Sequence, residues 1–461
     1  MMDKKTYSEL KRNTIIIAIS NLGSKAISFI LAPLYSYYMT TAEYGTMDLI
    51  TTTVGLLFPF VCIDIFEATF RFANDQKYNE KTVLSTSLFI WGGENIIIWV
   101  SVLIFAILYK FSLIILVCIF SASLDSIYQI LAQFARGRGK MKIFALSGIV
   151  NSIVLLFLNI IFMIFLSYGL NGWIISFVVA KLLAVWYLSI SINIFENVKI
   201  KYIDKTFLKE AIKFCLPLMP SASMWWIMNA SDRYIISFYL GVSATGIYAV
   251  ANKIPVILSV FENVFYQSWQ TTAINTMNTE DRDKVYSLVF LKYFQILTVG
   301  VIAILLFLKP LIIYLFAKEY HYAWISAPIL LICVMFHALA GNLGTLYTVF
   351  KNTTGALKTS AIGAGVNIIL NLLFIKFFGM NAAAWTTLAA YIVVLIIRWY
   401  DISKNVQLKI PIFDVSVYIF GLMCSLVLYY IDNYFTYVFK ILIFVFILYR
   451  SKNIILGIIR K

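Results

Sequence analysis

Charge is scarce in this chain. Only 13% of its 461 residues are Asp, Glu, Lys or Arg, whereas 61% are hydrophobic and the mean hydropathy is +0.87. Soluble domains carry about 25% charged residues. A water-soluble protein of this length could not cover its surface with so few, so lipid must be the solvent for most of it. Histidine is scarcer still. His321 and His337 are the only two, too few for a histidine-based metal centre. The five cysteines (Cys62, Cys118, Cys215, Cys333 and Cys424) lie within apolar runs with no CxxC spacing. They read as small buried hydrophobes, neither a disulfide framework nor a metal site. Long polar loops are also missing. The longest fall near 196–209 and 272–285.

Apolar runs dominate what is present. A spanning helix needs about 20 mostly apolar residues. About fourteen segments meet that condition: 14–39, 44–70, 83–109, 111–135, 143–167, 172–195, 210–239, 245–271, 286–308, 322–350, 356–378, 381–403, 412–431 and 434–450. The segments starting at 44 and 245 hold several polar residues and are the weakest. The formal charge of +15 comes from short basic clusters between spans, as the positive-inside rule expects, and not from a nucleic-acid-binding face. One side collects Arg136, Arg138, Lys140 and Lys142, then Lys199, Lys201, Lys205 and Lys209, with further clusters at both ends of the chain. The other side holds only Lys110, Lys309, Lys318 and Lys376. The asymmetry predicts an even number of spans with both termini cytoplasmic. The first run is interrupted by Asn21, Gly23, Ser24 and Lys25, so it reads as a retained span and not as a signal peptide.

The same unit occurs twice in the sequence pattern. LNIIF at 158–162 returns as LNLLF at 370–374, and eleven residues after each closing Phe stands a Trp, Trp173 and Trp385. The stretch 107–116 resembles 306–315, and Gly45 matches Gly246. Ordered matches at a common offset indicate repeat architecture. Six spans separate the copies, so the repeats are parallel. The expected fold is an all-α polytopic membrane protein: an N-lobe over 1–200, a C-lobe over 201–405, and two extra C-terminal helices over 406–461.

Ionisable groups within spans cost at least ~2.5–3.5 kcal/mol on insertion scales, and so mark either a wet cavity or interhelical pairing. Spans 1, 2, 7 and 8 are the polar ones. They supply Asn21, Lys25, Asp48, Asp64, Asp232, Arg233, Asn252, Lys253 and Glu262. Lys25, Arg233 and Lys253 suit a phosphate or pyrophosphate. Asn21, Asp64, Asn252 and Glu262 are candidate cavity residues beside them. Asn367 and Asn371 stand i, i+4 on span 11, with Thr386 and Thr387 on span 12 and Asp232 on span 7. Such oxygens suit a hard cation, and they serve equally as hydrogen bonders between helices.

The segments SKAISFILAPLYSYYMTTAEYGTMDL (24–49), EATFRF (67–72), FCLPLMPS (214–221), NASDRYIISFYLG (229–241) and GIYAVANKIP (246–255) together resemble the polysaccharide-repeat-unit flippases of the multidrug/oligosaccharidyl-lipid/polysaccharide (MOP) exporter superfamily. The resemblance covers nearly the whole chain. It implies two six-helix lobes in a V-shaped arrangement around a cavity, and alternating access that moves undecaprenyl-pyrophosphate-linked oligosaccharide from the cytoplasmic to the outer leaflet. Related lipid II flippases hold Na⁺ at positions matching Asp232, Asn367, Asn371 and Thr387. Their second span-11 ligand is acidic where Asn371 is neutral, which should weaken Na⁺ binding and leaves H⁺ coupling open. The expectation is thus a transporter without catalytic residues or cofactor, apart from Na⁺ or H⁺. It is expected to be a monomer in the bacterial cytoplasmic membrane, with membrane lipids, the lipid-linked substrate and the polymerase machinery as partners and no nucleic acid. The rival readings are a multidrug or cation antiporter of the same superfamily and a membrane-embedded polysaccharide polymerase or ligase. The short extracytoplasmic loops argue against the last.

Overall fold

The computed structural model describes residues 23–74, 78–108, 112–216, 218–350, 352–431 and 433–452. Among them there is no strand, as expected where lipid forbids unpaired backbone outside helices and closed barrels. A first helix, α1, covers 23–38. There follow α2 (Thr41–Cys62), α3 (Ile65–Asn74), α4 (Glu80–Leu108), α5 (Leu113–Gly137), α6 (Met141–Asn159), α7 (Gly169–Ser191), α8 (Ile194–Asn197), α9 (Lys205–Cys215) and α10 (Leu218–Leu240). The chain continues with α11 (Val242–Ala251), α12 (Pro255–Thr276), α13 (Arg282–Leu315), α14 (Ala323–Val349), α15 (Thr353–Phe378), α16 (Met380–Ile402), α17 (Ile412–Tyr430) and α18 (Tyr434–Arg450). Two compact units divide it within α10, the first ending at Trp226 and the second starting at Ile227.

Each of the fourteen apolar segments carries a helix. Ten described helices are long and apolar enough to cross a membrane. The other four segments fall short for local reasons. Span 1 is described only from residue 23, and α10 is diluted by Asn229, Asp232 and Arg233. Span 8 is broken between the short α11 and an α12 that is long enough but too polar in sequence, and α18 has 17 residues. Large apolar side chains such as Ile97, Ile107, Phe238 and Phe420 stand exposed along these helices, as a chain solvated by lipid requires.

Two predicted spans are interrupted. Residues 44–70 break at Ile63 and Asp64, which both take left-handed φ values of 43° and 52°. Consecutive non-glycine residues there are strained, at about 1–3 kcal/mol each. Neighbouring helices satisfy the carbonyls that the break frees. Asn95 Nδ2 of α4 donates to the Val61 carbonyl at 3.3 Å, and Cys215 Sγ of α9 donates to the Asp64 carbonyl at 3.3 Å. Residues 245–271 break at Asn252–Ile254, where Pro255 opens α12. Proline has no N–H to give to a continuing helix and suits a first helical turn.

In unit 1, Glu43 fixes where two helices begin. Thr40 and Glu43 form a capping box on α2, while Glu43 Oε1 accepts from the Leu170 N–H of α7 at 3.3 Å. Behind them, Phe72, Tyr78 and Phe207 pack edge to face in a core built from α3, α4, α5 and α9. In unit 2, α14 is the buried centre, packed by α11, α12, α13, α15 and α16. Arg398 of α16, 2% exposed, ties this group together. Its Nε donates to Thr359 Oγ1 (3.0 Å), Nη1 to the Ala340 carbonyl (2.7 Å) and Nη2 to Ser360 Oγ (3.0 Å). A Cβ at Gly344 would stand 2.5 Å from Nη1, so the close passage of α14 depends on that glycine. The hairpin α17–α18 docks on α13. Tyrosine hydroxyls staple it, Tyr429 to the Trp324 carbonyl (2.9 Å), Tyr430 to that of Ile325 (2.7 Å) and Tyr437 to that of Leu306 (3.2 Å).

Candidate functional site

Unit 2 gathers Asp232, Asn367, Asn371 and Thr387 into one buried cluster, from three helices distant in sequence. Asp232 is 3% exposed, and both asparagines are fully buried. Asn371 Nδ2 donates to Asp232 Oδ1 at 2.7 Å. Tyr248 of α11 donates its hydroxyl to Asp232 Oδ2 at 3.0 Å. Thr387 Oγ1 lies 2.6 Å from the same Oδ2 and 2.8 Å from the Ala383 carbonyl, and its single proton serves one of the two. Asn367 Nδ2 donates to Thr387 Oγ1 at 2.9 Å, and Ser231 Oγ donates to Asn367 Oδ1 at 3.1 Å.

One atom of the cluster is orphaned. Asn371 Oδ1 is buried without a hydrogen-bond partner. Leaving such an acceptor dry costs about 1–3 kcal/mol. Asp232 adds a carboxylate and Thr387 a hydroxyl oxygen. An all-oxygen set of this kind with one negative charge fits a hard cation, which takes carboxylate, amide and hydroxyl oxygens.

The cluster opens onto a cavity of about 270 Å³ within unit 2, lined among others by Asp232, Arg233, Tyr248, Asn252, Glu262, His337, Thr387 and Tyr391. Arg233, Asn252 and Glu262, expected as cavity residues, therefore share a wall with Asp232 and Thr387, while Asn367 and Asn371 lie outside the lining. Lys253 follows Asn252 in the turn before α12, half-buried and outside the lining. In unit 1, Lys25 is exposed on α1, and Asp64 is 4% exposed in the break between α2 and α3. Asn21 lies outside the described residues.

Tyr248 is not legible in the sequence as a site residue, whereas His337 is legible as an ionisable group within span 10 but not as the partner of Glu262. The only sign of Tyr248 is its place two residues past Gly246. His337 is paired with Glu262 across α14 and α12, Nδ1 to Oε1 at 2.7 Å.

The repeat shows that the cluster is one-sided. Asn159 occupies the place of Asn371 in LNIIF, and it too is fully buried with an unpartnered Oδ1. A π-helical turn, Ile160–Phe165, follows it. Two residues past the repeated tryptophan, unit 2 has Thr387 and unit 1 has Ile175. Fourteen residues before the repeated glycine, unit 2 has Asp232 and unit 1 has Leu31. The carboxylate and the hydroxyl are present in the second copy only.

The model of the family described as "Polysaccharide biosynthesis protein" matches residues 10–269, more than half of the chain. No curated protein sequence matches. Among solved structures the fold is similar to that of the lipid II flippase MurJ in an inward closed conformation, with a TM-score of 0.71 at 15% identity over 97% of this chain and 100% of that one. It is also similar to an inward-facing multidrug resistance MATE family transporter of the MOP superfamily, with a TM-score of 0.68 at 14% identity over 84% and 98%. A third is a MOP superfamily transporter from Pyrococcus furiosus, with a TM-score of 0.60 at 13% identity over 85% and 96%.

Proposed function

This chain belongs to the polysaccharide biosynthesis protein family, and we propose that it is a flippase driven by a cation. Its substrate is an oligosaccharide repeat unit linked to undecaprenyl pyrophosphate, moved from the cytoplasmic to the outer leaflet of the bacterial cytoplasmic membrane. The protein is multi-pass, with a helix at each of fourteen apolar segments. The asymmetry of Lys and Arg between its loops supports cytoplasmic termini.

The observation that carries the reading is the Asp232 cluster with its orphaned Asn371 acceptor. Asp232, Asn371 and Thr387 would hold Na⁺, with Asn367 orienting the threonine hydroxyl. The bound ion supplies one positive charge where Asp232 supplies the negative one. Arg233, next in sequence, lines the cavity beside Asp232. Neutralising Asp232 removes a carboxylate that competes with a diphosphate for the guanidinium, which can grip such a ligand through two parallel hydrogen bonds. Cation occupancy and anion capture are thereby linked through neighbouring side chains, which lets an ion gradient bias substrate binding.

The reading is tested in the source bacterium with its own copy deleted. D232A and R233A variants, present in the membrane at wild-type level, should restore no more than a small fraction of surface polysaccharide. Full restoration by both would reject the site.

A further inference from the structure

The cavity beside Asp232 contains a second ionisable pair. His337 of α14 directs Nδ1 to Glu262 Oε1 of α12 at 2.7 Å, with 26% and 15% of the two side chains exposed. Both line the cavity that Asp232 lines. The imidazole packs edge-on against Tyr391 of α16, with ring centroids 5.1 Å apart. Among the described residues, the other ionisable groups around the pair are Asp232 and Arg233 of α10, Tyr248 of α11, Cys333 of α14 itself and Tyr293 of α13.

The charges of this cavity can be counted. Asp232 and Glu262 contribute two negative charges and Arg233 one positive, a balance of −1. One added positive charge neutralises it, and there are two places to put that charge: a cation at Asp232 or a proton on His337. With both filled, the small cavity carries an excess positive charge in low dielectric, where like charges repel far more strongly than in water. The two occupancies therefore oppose each other, as coupled titrating sites do.

We propose that the His337–Glu262 pair is a proton-binding site antagonistic to the cation at Asp232, so that unit 2 exchanges a cation for a proton within one cavity. The inference rests on the cation reading of Asp232. The proton is held on the imidazole and stabilised by the Glu262 carboxylate. It leaves to solvent through the open side of the cavity when a cation arrives.

The scarcity of histidine makes the test clean. His321 lies outside the cavity lining, with Nε2 3.1 Å from the Phe316 carbonyl, so an H321Q protein has a single imidazole. The full chain, labelled at histidine carbon and embedded in lipid nanodiscs, is followed by NMR at a fixed pH near the imidazole midpoint, in NaCl or in choline chloride of equal strength. Na⁺ should lower the protonated fraction of His337, by the equivalent of at least about a fivefold loss of proton affinity, the low end of measured site–site couplings. D232N should produce a fall of that kind without Na⁺ and abolish the response to Na⁺. A protonated fraction that responds neither to Na⁺ nor to D232N would overturn the proposal, as would a Na⁺ response that survives D232N. A response to D232N but not to Na⁺ would sustain the antagonism while rejecting Na⁺ as the ion, a failure of the ion assignment and not of the pair. Should H321Q not fold, the two wild-type signals are told apart with H337Q.

Discussion

Asn371 donates to Asp232 Oδ1 at 2.7 Å while its own carbonyl oxygen, buried at the same place, has no hydrogen-bond partner. One amide thus both supports the carboxylate and presents a spare acceptor beside it. Substituting Asn371→Asp removes the donor and sets two carboxylates against each other, which favours any cation between them. N371D should bind Na⁺ about tenfold more tightly than wild type, a gain of about 1.4 kcal/mol. Isothermal titration of purified protein with NaCl measures it, and an unchanged or weaker affinity would contradict the ligand assignment.

Tyr248 is the second donor to Asp232, at 3.0 Å from Oδ2. Hydrogen bonds to charged groups contribute about 1.5–3 kcal/mol. The Tyr248→Phe substitution keeps the ring and removes the hydroxyl, so it should lower folding stability by an amount in that range. Thermal unfolding in detergent checks this. A double variant with D232N should lose little more than D232N alone, because the two act on one interaction.

The cluster around Asp232 is largely legible in the sequence. Asn367 and Asn371 stand i, i+4 on an apolar span, which places both on one helix face, and family likeness joined them to Asp232 and Thr387. Tyr248 was not legible, because a tyrosine in a membrane helix gives no sign of where its hydroxyl points. The two breaks differ in the same way. Pro255 announces the start of α12. Nothing in the sequence around Ile63 and Asp64 announces a left-handed pair, since a β-branched residue is among the least suited to positive φ. That break is held by tertiary donors, Asn95 and Cys215, and contacts distant in sequence leave no local trace. His337 could be read as a polar residue within span 10, but its partner on α12 could not.

Arg398 makes three hydrogen bonds from the middle of unit 2 to α14 and α15. Its planar fork fits acceptors on two helices at once, which a lysine ammonium cannot match. R398K keeps the buried charge and loses part of that set, so it should destabilise unit 2 by about 2–4 kcal/mol. R398M carries no charge to strand and should cost less. The ordering is read from unfolding temperatures, and R398K proving the milder variant would contradict this account of the contact.

The C-terminal hairpin is held to α13 and α14 by tyrosine hydroxyls at three carbonyls. Neutral hydrogen bonds contribute about 1 kcal/mol each. Y429F and Y430F together should lower stability by about 2 kcal/mol and speed proteolysis of the hairpin in detergent. Cleavage no faster than in wild type would show that apolar packing alone holds it.

The central claim, that Asp232 couples a cation to movement of a lipid-linked sugar, is tested most directly in liposomes. Purified protein is reconstituted with a fluorescent undecaprenyl-pyrophosphate oligosaccharide, and the fraction reaching the opposite leaflet is followed by quenching, with and without an imposed Na⁺ or H⁺ gradient. The account predicts that wild type translocates faster when one of the gradients is imposed, and that D232N translocates slowly and ignores both. Equal translocation by wild type and D232N, with the same indifference to either ion, would contradict it.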